Sequence, residues 1–261
     1  MSLRIRPIPA FADNYIWLLQ SAAGVAVVDP GDAAPLLQIL HEEGLRLDTI
    51  LVTHHHTDHT GGIAALMQSF PQVRVIGPHS DRIPLLQERV GEGDLVQTIG
   101  LRFEVMEIPG HTLDHIAYHL PLSQENSTPA LFCGDTLFAG GCGRIFEGTP
   151  SMMLNSLYKL QKLSPHTLLY CAHEYTQANL RFAMLVEPNN ADLAARAKNV
   201  DALRATGEPT LPSNLDVELR TNPFLRCHIQ TIAQRVAQHS GASTADPLST
   251  FAHLRAWKDH F

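Results

Sequence analysis

The chain has 261 residues, a formal net charge of −7 and 15 histidines. Hydrophobic residues make up 44% of it and charged residues 17%, ordinary values that exclude a disordered or fibrous chain. The acidic balance, without a long run of Lys or Arg, disfavours nucleic acid as a partner. Composition therefore predicts a folded, water-soluble protein, and the histidine count points to metal or proton chemistry.

The chain offers little that would direct it to a membrane. No stretch approaches the roughly 20 apolar residues that span a bilayer, so we expect no membrane partner. Arg4 and Arg6 lie inside an alternating apolar pattern rather than ahead of an apolar segment, which argues against a signal peptide. The four cysteines form no Cys-x-x-Cys pair. We expect them to be small buried hydrophobes in a reducing cytoplasm.

Short runs rich in Val, Ile, Leu and aromatic residues predict β-strands through the first two thirds of the chain. The predicted strands are 3–8, 15–20, 25–29, 49–53, 73–77, 101–108, 116–120, 130–133 and 167–172. Segments with helical periodicity at 33–43, 62–69 and 151–163 lie between some of them. This pattern predicts a layered α/β sandwich rather than an all-β barrel.

The character of the sequence changes after His173. The remaining chain is predicted to be helical, with no strand, and the segments 123–129 and 207–214 are predicted loops. The predicted C-terminal helices are 174–186, 191–205, 224–238 and 247–260. We therefore predict two domains, a catalytic domain over 1–173 and a smaller helical domain over 174–261.

A dense group of metal-binding side chains follows the predicted strand at 49–53. The segment from 53 to 62 reads Thr-His-His-His-Thr-Asp-His-Thr-Gly-Gly, and functional side chains gather outside the carboxyl ends of strands in open α/β sheets. The spacing sends His54 and His56 to one centre, Asp58 and His59 to a neighbouring one, and His55 away from both. Imidazole and carboxylate donors predict zinc, iron or manganese with a position left open for water.

Three single residues at other predicted strand ends are candidates to complete the set, namely His111, Asp135 and His173. Each alone has an ordinary interpretation, because lone histidines are usually not ligands and Asp before Thr commonly serves a turn. Once the 54–59 motif is taken as a metal site, Asp135 is the residue predicted to bridge two metal ions, because paired ions lie roughly 3.5–4 Å apart. The predicted partition is His54, His56 and His111 on one metal, Asp58, His59 and His173 on the other, and Asp135 shared, with Asp58 and Asp135 as catalytic residues.

The strings T-H-H-H-T-D-H-T-G-G, G-H-T, C-G-D-T and A-H-E resemble the metallo-β-lactamase superfamily. Over nearly the whole chain the resemblance extends to one family within it, glyoxalase II, the hydroxyacylglutathione hydrolases. The strings that carry it are Asp13-Asn14-Tyr15, L-F-A-G-G-C-G-R at 137–144, His173-Glu174-Tyr175, Leu211-Pro212-Ser213, N-P-F-L-R at 222–226 and R-A-W-K-D at 255–259. The resemblance implies a four-layer αββα sandwich with a smaller helical C-terminal domain.

The same resemblance implies a glutathione site. Carried over residue by residue, the substrate contacts are Arg144, Tyr175, Arg255 and Lys258. Arg144 stands where Lys is common, which keeps the charge but changes the hydrogen-bond geometry. Phe146 stands where some members have Tyr, which removes a hydroxyl donor. The metal ligands show no departure from the family pattern.

The activity implied is hydrolysis of an S-(2-hydroxyacyl)glutathione, foremost S-D-lactoylglutathione, to D-lactate and glutathione, a step of methylglyoxal detoxification. A hydroxide bridging two divalent metal ions, zinc or else iron or manganese, would be the nucleophile. The alternatives are an iron-dependent persulfide dioxygenase, another hydrolase of this fold such as a lactonase, and a metal-dependent binding module. The complete second set of ligands argues against the dioxygenase. We expect a monomer whose only partner is the small glutathione thioester.

Overall fold

The computed structural model of the chain describes residues 3–123, 126 and 128–261, so the predicted loop at 123–129 lies partly outside the described residues. The chain divides into two units that are interleaved in sequence. The first unit comprises the chain up to Glu107, Asp114–Gly134 and Tyr170–His173, and the second comprises Ile108–Leu113, Asp135–Leu169 and Glu174–Phe261.

A six-stranded mixed sheet forms much of the first unit. Its strands, in order across the sheet, are β1 (Arg4–Ala10), β2 (Asn14–Ser21), β3 (Gly24–Val28), β4 (Thr49–Leu51), β5 (Arg74–Pro78) and β6 (Glu88–Val90). Strands β1 to β3 pair antiparallel, and β3 to β6 pair parallel. Because parallel strands end at the same edge of a sheet, the residues that follow β3 and β4 lie side by side.

One face of this sheet is covered by two helices, α1 (Ala33–Glu42) and α3 (Ile63–Ser69). Successive side chains of a strand point to opposite faces, so Ile16 and Leu18 of β2 share one face. Both belong to the same buried core as Leu36 of α1. The helices therefore cover the apolar face that the alternating pattern of the strands creates.

The other face of the first sheet meets strands of a second six-stranded sheet. In order across that sheet they are β14 (Ser213–Asn214), β13 (Leu168–Cys171), β10 (Ala130–Gly134), β9 (Ile116–Leu120), β8 (Leu101–Glu107) and β7 (Leu95–Thr98). Within the first unit, the indole of Trp17 donates to the Cys171 carbonyl at 3.0 Å and packs 4.9 Å from the Tyr170 ring. The Tyr118 hydroxyl donates to the Val52 carbonyl at 3.0 Å. Burial on both faces explains why β2 reads as a continuous apolar run.

The second unit is mainly helical. Its elements are the hairpin of β11 (Leu137–Phe138) and β12 (Gly141–Cys142), then α4 (Pro150–Leu160), α5 (Thr176–Val186), α6 (Ala191–Ala205), α7 (Leu215–Thr221), a 3-10 helix (Pro223–Leu225), α8 (Gln230–Ser240) and α9 (Pro247–Asp259). Helices α5 and α6 share a core around Leu180 and Leu193. The side chain of Asp246 caps α9 as part of a capping box with Ser249. Helix α4 packs against α9, which is why residues 135–169 group with the C-terminal helices.

The strands and helices predicted from the sequence are present, with ends that differ by a few residues. Only the predicted helix at 224–238 begins late, at Gln230. The prediction that no strand follows His173 is wrong, because Ser213 pairs with Leu169 in β14. The two-domain division at residue 174 stays a prediction. Among the described residues, no helix is both long and apolar enough to cross a membrane.

Candidate metal centre

The histidine-rich segment begins where β4 ends and is held there by Asp29, the residue that follows β3. One carboxylate oxygen of Asp29 accepts from the Thr53 backbone N–H at 2.8 Å, and the other accepts from the Thr53 hydroxyl at 2.8 Å. Asp29 is buried and has a φ of 52°. The carboxyl ends of two neighbouring strands are thus tied together directly before His54.

His54 and His56 bring two ring nitrogens together. The Thr53 hydroxyl donates to Asp29, so its oxygen can accept from His54 Nδ1, which lies 3.0 Å away. This arrangement leaves a lone pair on His54 Nε2, which lies 3.1 Å from His56 Nδ1. The ligand nitrogens of a tetrahedral zinc ion lie about 3.3 Å apart, so the spacing of this pair fits a shared cation.

Asp58, His59 and His173 form a second group in the same unit. Asp58 and His59 lie on the single turn of α2 (Thr57–Thr60), and His173 follows β13. Asp58 Oδ2 lies 3.6 Å from His59 Nε2 and 3.4 Å from His173 Nε2. These three side chains offer one carboxylate oxygen and two imidazole nitrogens that could hold a metal ion.

Carboxylates behind the two histidines of this group orient their rings. His59 Nδ1 lies 3.0 Å from Asp29 Oδ2, and His173 Nδ1 lies 2.8 Å from Asp13 Oδ1. A proton on Nδ1 facing each carboxylate leaves Nε2 as the ligand atom, which is the usual arrangement behind metal-binding histidines. The neighbouring Asn14 donates to Asp58 Oδ2 at 3.1 Å.

His111 and Asp135 form a matching pair in the second unit. Asp135 Oδ2 lies 3.4 Å from His111 Nε2, while His111 Nδ1 lies 2.8 Å from the Arg144 carbonyl oxygen. Both side chains are buried. Gly143 lies against them so closely that an added Cβ would be 1.9 Å from the Asp135 carbonyl oxygen. The donor set of this pair again fits a metal ion, with Nε2 and a carboxylate oxygen side by side.

All seven predicted ligands thus lie in one of these groups, five in the first unit and two in the second. The residues that orient them, Asp13 and Asp29, were not predicted from the sequence. Asp13 belongs to a string that carried the family resemblance without a role, and Asp29 is the last residue of the predicted strand 25–29. Only the pairing of β3 with β4 shows that Asp29 lies beside the histidine-rich segment.

His55 makes contacts of a different kind. Its Nδ1 lies 2.9 Å from Asp114 Oδ1, and its Nε2 lies 2.7 Å from Arg82 Nη1. Because a guanidinium can only donate, Nε2 is the acceptor and Nδ1 carries the proton that faces Asp114. Both ring nitrogens of His55 therefore interact with side chains that belong to none of the three groups of candidate ligands described above.

The predicted substrate residues lie in the second unit and differ in exposure. The Arg144 side chain is 60% exposed, and its Nε lies 3.5 Å from Asp259 Oδ1. Arg255 is buried, donates to the Cys142 carbonyl at 2.7 Å and pairs with Asp259 at 3.1 Å. Its guanidinium also lies over the Phe224 ring. Arg144 is thus open to solvent, whereas the charge of Arg255 is used inside the unit.

The other candidates lie beside aromatic rings. Lys258 Nζ lies 5.3 Å from the centre of the Phe182 ring and 5.0 Å from that of Phe261. Burial, and then the nearby positive charges of arginines, lowers the pKa of Lys258 to about 8. The Tyr175 ring packs edge-on against that of Phe138 at 5.2 Å.

Phe146, where part of the family pattern has Tyr, is 63% exposed, and its ring lies 5.2 Å from the His111 ring. Phe146 is therefore an apolar surface next to a predicted metal ligand.

The cysteines are buried, and two of them have thiols that are hard to ionise. All four are buried and none forms a disulfide. Burial raises the pKa of Cys142 to about 11 despite the neighbouring Arg255, and burial also raises the pKa of Cys227. A thiol that stays protonated at neutral pH is a poor nucleophile and a poor metal ligand.

Two family models together match residues 11–261 of the chain. Residues 11–173 match the metallo-beta-lactamase superfamily, and residues 174–261 match the hydroxyacylglutathione hydrolase C-terminus. Proteins named hydroxyacylglutathione hydrolase from Pseudomonas aeruginosa and Cupriavidus taiwanensis are 50% and 49% identical to the chain. The match covers 99% of the chain in both cases, and 100% and 99% of those relatives.

Solved structures with the same fold are more distant in sequence. The crystal structure of ETHE1 from Myxococcus xanthus has a TM-score of 0.65 at 24% identity, over 98% of this chain and 90% of that one. A di-iron-bound form of TTHA1623 has a TM-score of 0.61 at 25% identity, over 84% of this chain and 100% of that one. The α/β fold predicted from the sequence, with mixed sheets flanked by helices, is therefore confirmed.

Proposed function

Because the chain belongs to the hydroxyacylglutathione hydrolase family of the metallo-β-lactamase superfamily, we propose that it hydrolyses the thioester of S-(2-hydroxyacyl)glutathiones. The first substrate to test is S-D-lactoylglutathione, which would yield D-lactate and glutathione. The observation that carries the proposal is the similarity to relatives of that name. They are 49% and 50% identical to the chain over 99% of its length. The same names favour this activity over a persulfide dioxygenase, a lactonase or a binding module.

We propose that the seven side chains hold two divalent cations, with zinc the first to test. Imidazole nitrogens with carboxylate oxygens are the donors that zinc, iron and manganese accept. The ligands would be His54, His56, Asp58, His59, His111, Asp135 and His173, with Asp135 shared. When bound, such cations activate a water molecule and polarise the thioester carbonyl.

The protein's own contribution at this site is to fix the protonation and orientation of the ligands. Asp13, Asp29 and the Arg144 carbonyl each lie within hydrogen-bond distance of an Nδ1 atom. Each of them can accept the Nδ1 proton, which leaves Nε2 as the atom that faces the metal. The burial of His59 and His111 excludes the water that would otherwise compete for these nitrogens.

We propose that Arg144, Tyr175 and Lys258 contact the glutathione part of the substrate. Glutathione carries two carboxylates, so exposed or half-buried cations can orient it even in an acidic protein. For Arg255, the buried guanidinium supports a different role, in which it holds the Cys142 carbonyl and Asp259 in place. The division of labour we propose is metal chemistry in residues 1–173 and glutathione binding in residues 174–261. A monomeric, cytoplasmic protein acting in methylglyoxal detoxification remains our expectation.

The decisive experiment compares three substrate classes on the metal-loaded protein. Release of glutathione from S-D-lactoylglutathione would be followed with a thiol reagent, beside hydrolysis of a lactam and a lactone. We expect the thioester to be preferred by at least two orders of magnitude in kcat/KM, and we expect chelation to abolish that activity. Equal or faster turnover of the lactone would overturn the assigned substrate while leaving a metallohydrolase.

A further inference from the structure

A short hairpin, residues 137–142, joins Asp135 to Arg144. Side chains from the C-terminal helices form hydrogen bonds to its backbone. Glu218 of α7 accepts from the Gly140 N–H at 2.8 Å. Asn222 donates to the Phe138 and Gly141 carbonyls at 3.2 and 2.9 Å. Asn179 of α5 donates to the Ala139 carbonyl at 3.1 Å, and Arg255 of α9 to the Cys142 carbonyl at 2.7 Å. Three different helices thus bind one six-residue hairpin.

The centre of this network is a buried charge. Glu218 is fully buried, and it accepts hydrogen bonds from Arg196 and from Ser213. Arg196 also donates to the Thr221 hydroxyl at 2.6 Å. Glu218 Oε2 accepts from Asn222 at 3.1 Å. A buried carboxylate needs such partners, because removing it from water is otherwise very costly.

Two strings of the sequence that had no assigned role meet in this network. Leu211-Pro212-Ser213 supplies the Ser213 hydroxyl, and the segment 222–226 supplies the amide of Asn222. The hairpin itself is close-fitted, since a Cβ added at Gly141 would lie 2.6 Å from Asn179 Nδ2. The glycines of the hairpin and the polar residues of the helices are therefore parts of one arrangement.

We propose that Glu218 and Asn222 are positioning residues, which hold the hairpin so that Asp135 before it and Arg144 after it keep a fixed separation. This inference rests on the proposed function, in which Asp135 binds metal and Arg144 binds glutathione. A displacement of about 1 Å between reacting parts can cost about 100-fold in rate. The network acts through the backbone of the hairpin and touches neither metal nor substrate.

The competing explanation is that the network only stabilises the helices, and Asn190 offers a matched control for it. Asn222 Oδ1 caps the 3-10 helix by accepting from the Phe224 N–H at 3.1 Å, while its Nδ2 holds the hairpin. Asn190 likewise caps α6 by accepting from the Leu193 N–H at 3.1 Å, while its Nδ2 donates to the Arg220 carbonyl. The two residues have the same pair of local roles, but these two hydrogen bonds of Asn190 are to Arg220 and Leu193, outside the hairpin.

The test compares Asn222→Ala, Asn179→Ala and Asn190→Ala in the full-length, metal-loaded protein. Three quantities are measured for each folded variant: KM for S-D-lactoylglutathione, the rate at which a chelator removes metal, and the melting temperature. Loss of one hydrogen bond corresponds to about a fivefold change in an equilibrium. We expect the two hairpin variants to raise KM at least fivefold and to release metal faster, and we expect Asn190→Ala to lower only the melting temperature.

The proposal is overturned if both hairpin variants keep the parent KM and metal-release rate, or if Asn190→Ala changes them equally. If Asn222→Ala does not fold, Asn179→Ala decides, because it removes a single hydrogen bond to the hairpin. If the parent hydrolyses no glutathione thioester, the proposed function fails. Metal release then still tests whether the hairpin positions Asp135.

Discussion

Among the individual residues, those that orient the histidines are as informative as the ligands. A histidine binds metal through one nitrogen, and the group behind the other nitrogen selects which one. Asp13 and Asp29 serve His173 and His59 in this way, at 2.8 and 3.0 Å. Loss of such a partner typically costs about 10–100-fold in metal affinity or activity. The chemistry of the centre therefore depends on side chains outside the histidine-rich segment.

The proposed partition of ligands gives a direct prediction for Asp135. Asp135→Ala removes the one carboxylate assigned to both cations, so we expect less than half of the parent's bound metal and almost no thioester hydrolysis. His55→Ala serves as the control, because both of its ring nitrogens face Asp114 and Arg82. It should retain nearly all of the metal. Elemental analysis after gel filtration measures both, and a full metal complement in folded Asp135→Ala would refute the bridging role.

The candidate ligands stand out in the sequence because their spacing is unusual, whereas Asp29 does not. Four histidines and an aspartate within six residues, 54–59, have no ordinary structural reason to occur together. A single aspartate after a strand, by contrast, is the commonest residue of a turn. Only the parallel pairing of β3 with β4 brings Asp29 beside Thr53, and a pairing between distant segments is not visible in either segment alone.

Among the secondary-structure elements, those with a clear apolar pattern are predicted best from the sequence. Strands such as β2 and β8 have seven or eight residues with clear apolar patterns, and they were predicted within two residues of their ends. Of the elements that were not predicted, β11, β12 and β14 have two residues each, too few for any periodicity. Their positions depend on tertiary hydrogen bonds, such as those from helix side chains to the backbone of the 137–142 hairpin.

The turn after this hairpin gives a prediction at the level of the element. Gly143→Ala places a Cβ 1.9 Å from the Asp135 carbonyl oxygen, so the backbone must move. We expect weaker metal binding together with a lower melting temperature. Gly44→Ala is the control, because Gly44 has a φ of 62° but no atom within 4 Å of an added Cβ. It should cost about 1 kcal/mol of stability through strain alone, with metal affinity unchanged. Equal metal affinity in both variants, measured by chelator competition, would contradict the expectation.

The molecule as a whole is acidic, but several positively charged side chains lie near Lys258. The chain carries a net charge of −7, yet the pKa of Lys258 is lowered by burial and then by the positive charges of Arg255, Arg181 and Arg144. Composition could not reveal a cluster assembled from distant parts of the chain. Such a cluster suits a small ligand that carries carboxylates, since opposite charges attract most where water is partly excluded.

This cluster leads to a prediction about pH. Burial and neighbouring arginines lower the pKa of Lys258 to about 8, so its side chain is charged below that pH and loses its charge above it. If Lys258 binds a glutathione carboxylate, KM for S-D-lactoylglutathione should be lowest at neutral pH and should rise as the pH passes from about 8 to 10. Bound substrate will favour the charged form of Lys258, so the pKa of Lys258 is higher in the complex than in the free enzyme. The pH dependence of kcat/KM reports the free enzyme and is the quantity to fit.

Two variants separate this effect from titration at the metal centre. Lys258→Arg keeps its charge throughout this range because arginine is not deprotonated in proteins, so the alkaline rise in KM should disappear. Lys258→Ala should raise KM about tenfold at pH 7, the loss expected for roughly 1.4 kcal/mol of binding, and should show little further rise above pH 8. A small thioester without glutathione reports the metal centre alone and should show the same pH profile with all three proteins. If Lys258→Arg retains the alkaline rise of the parent, the titrating group is not Lys258. The glutathione site must then be sought around other cations of the second unit.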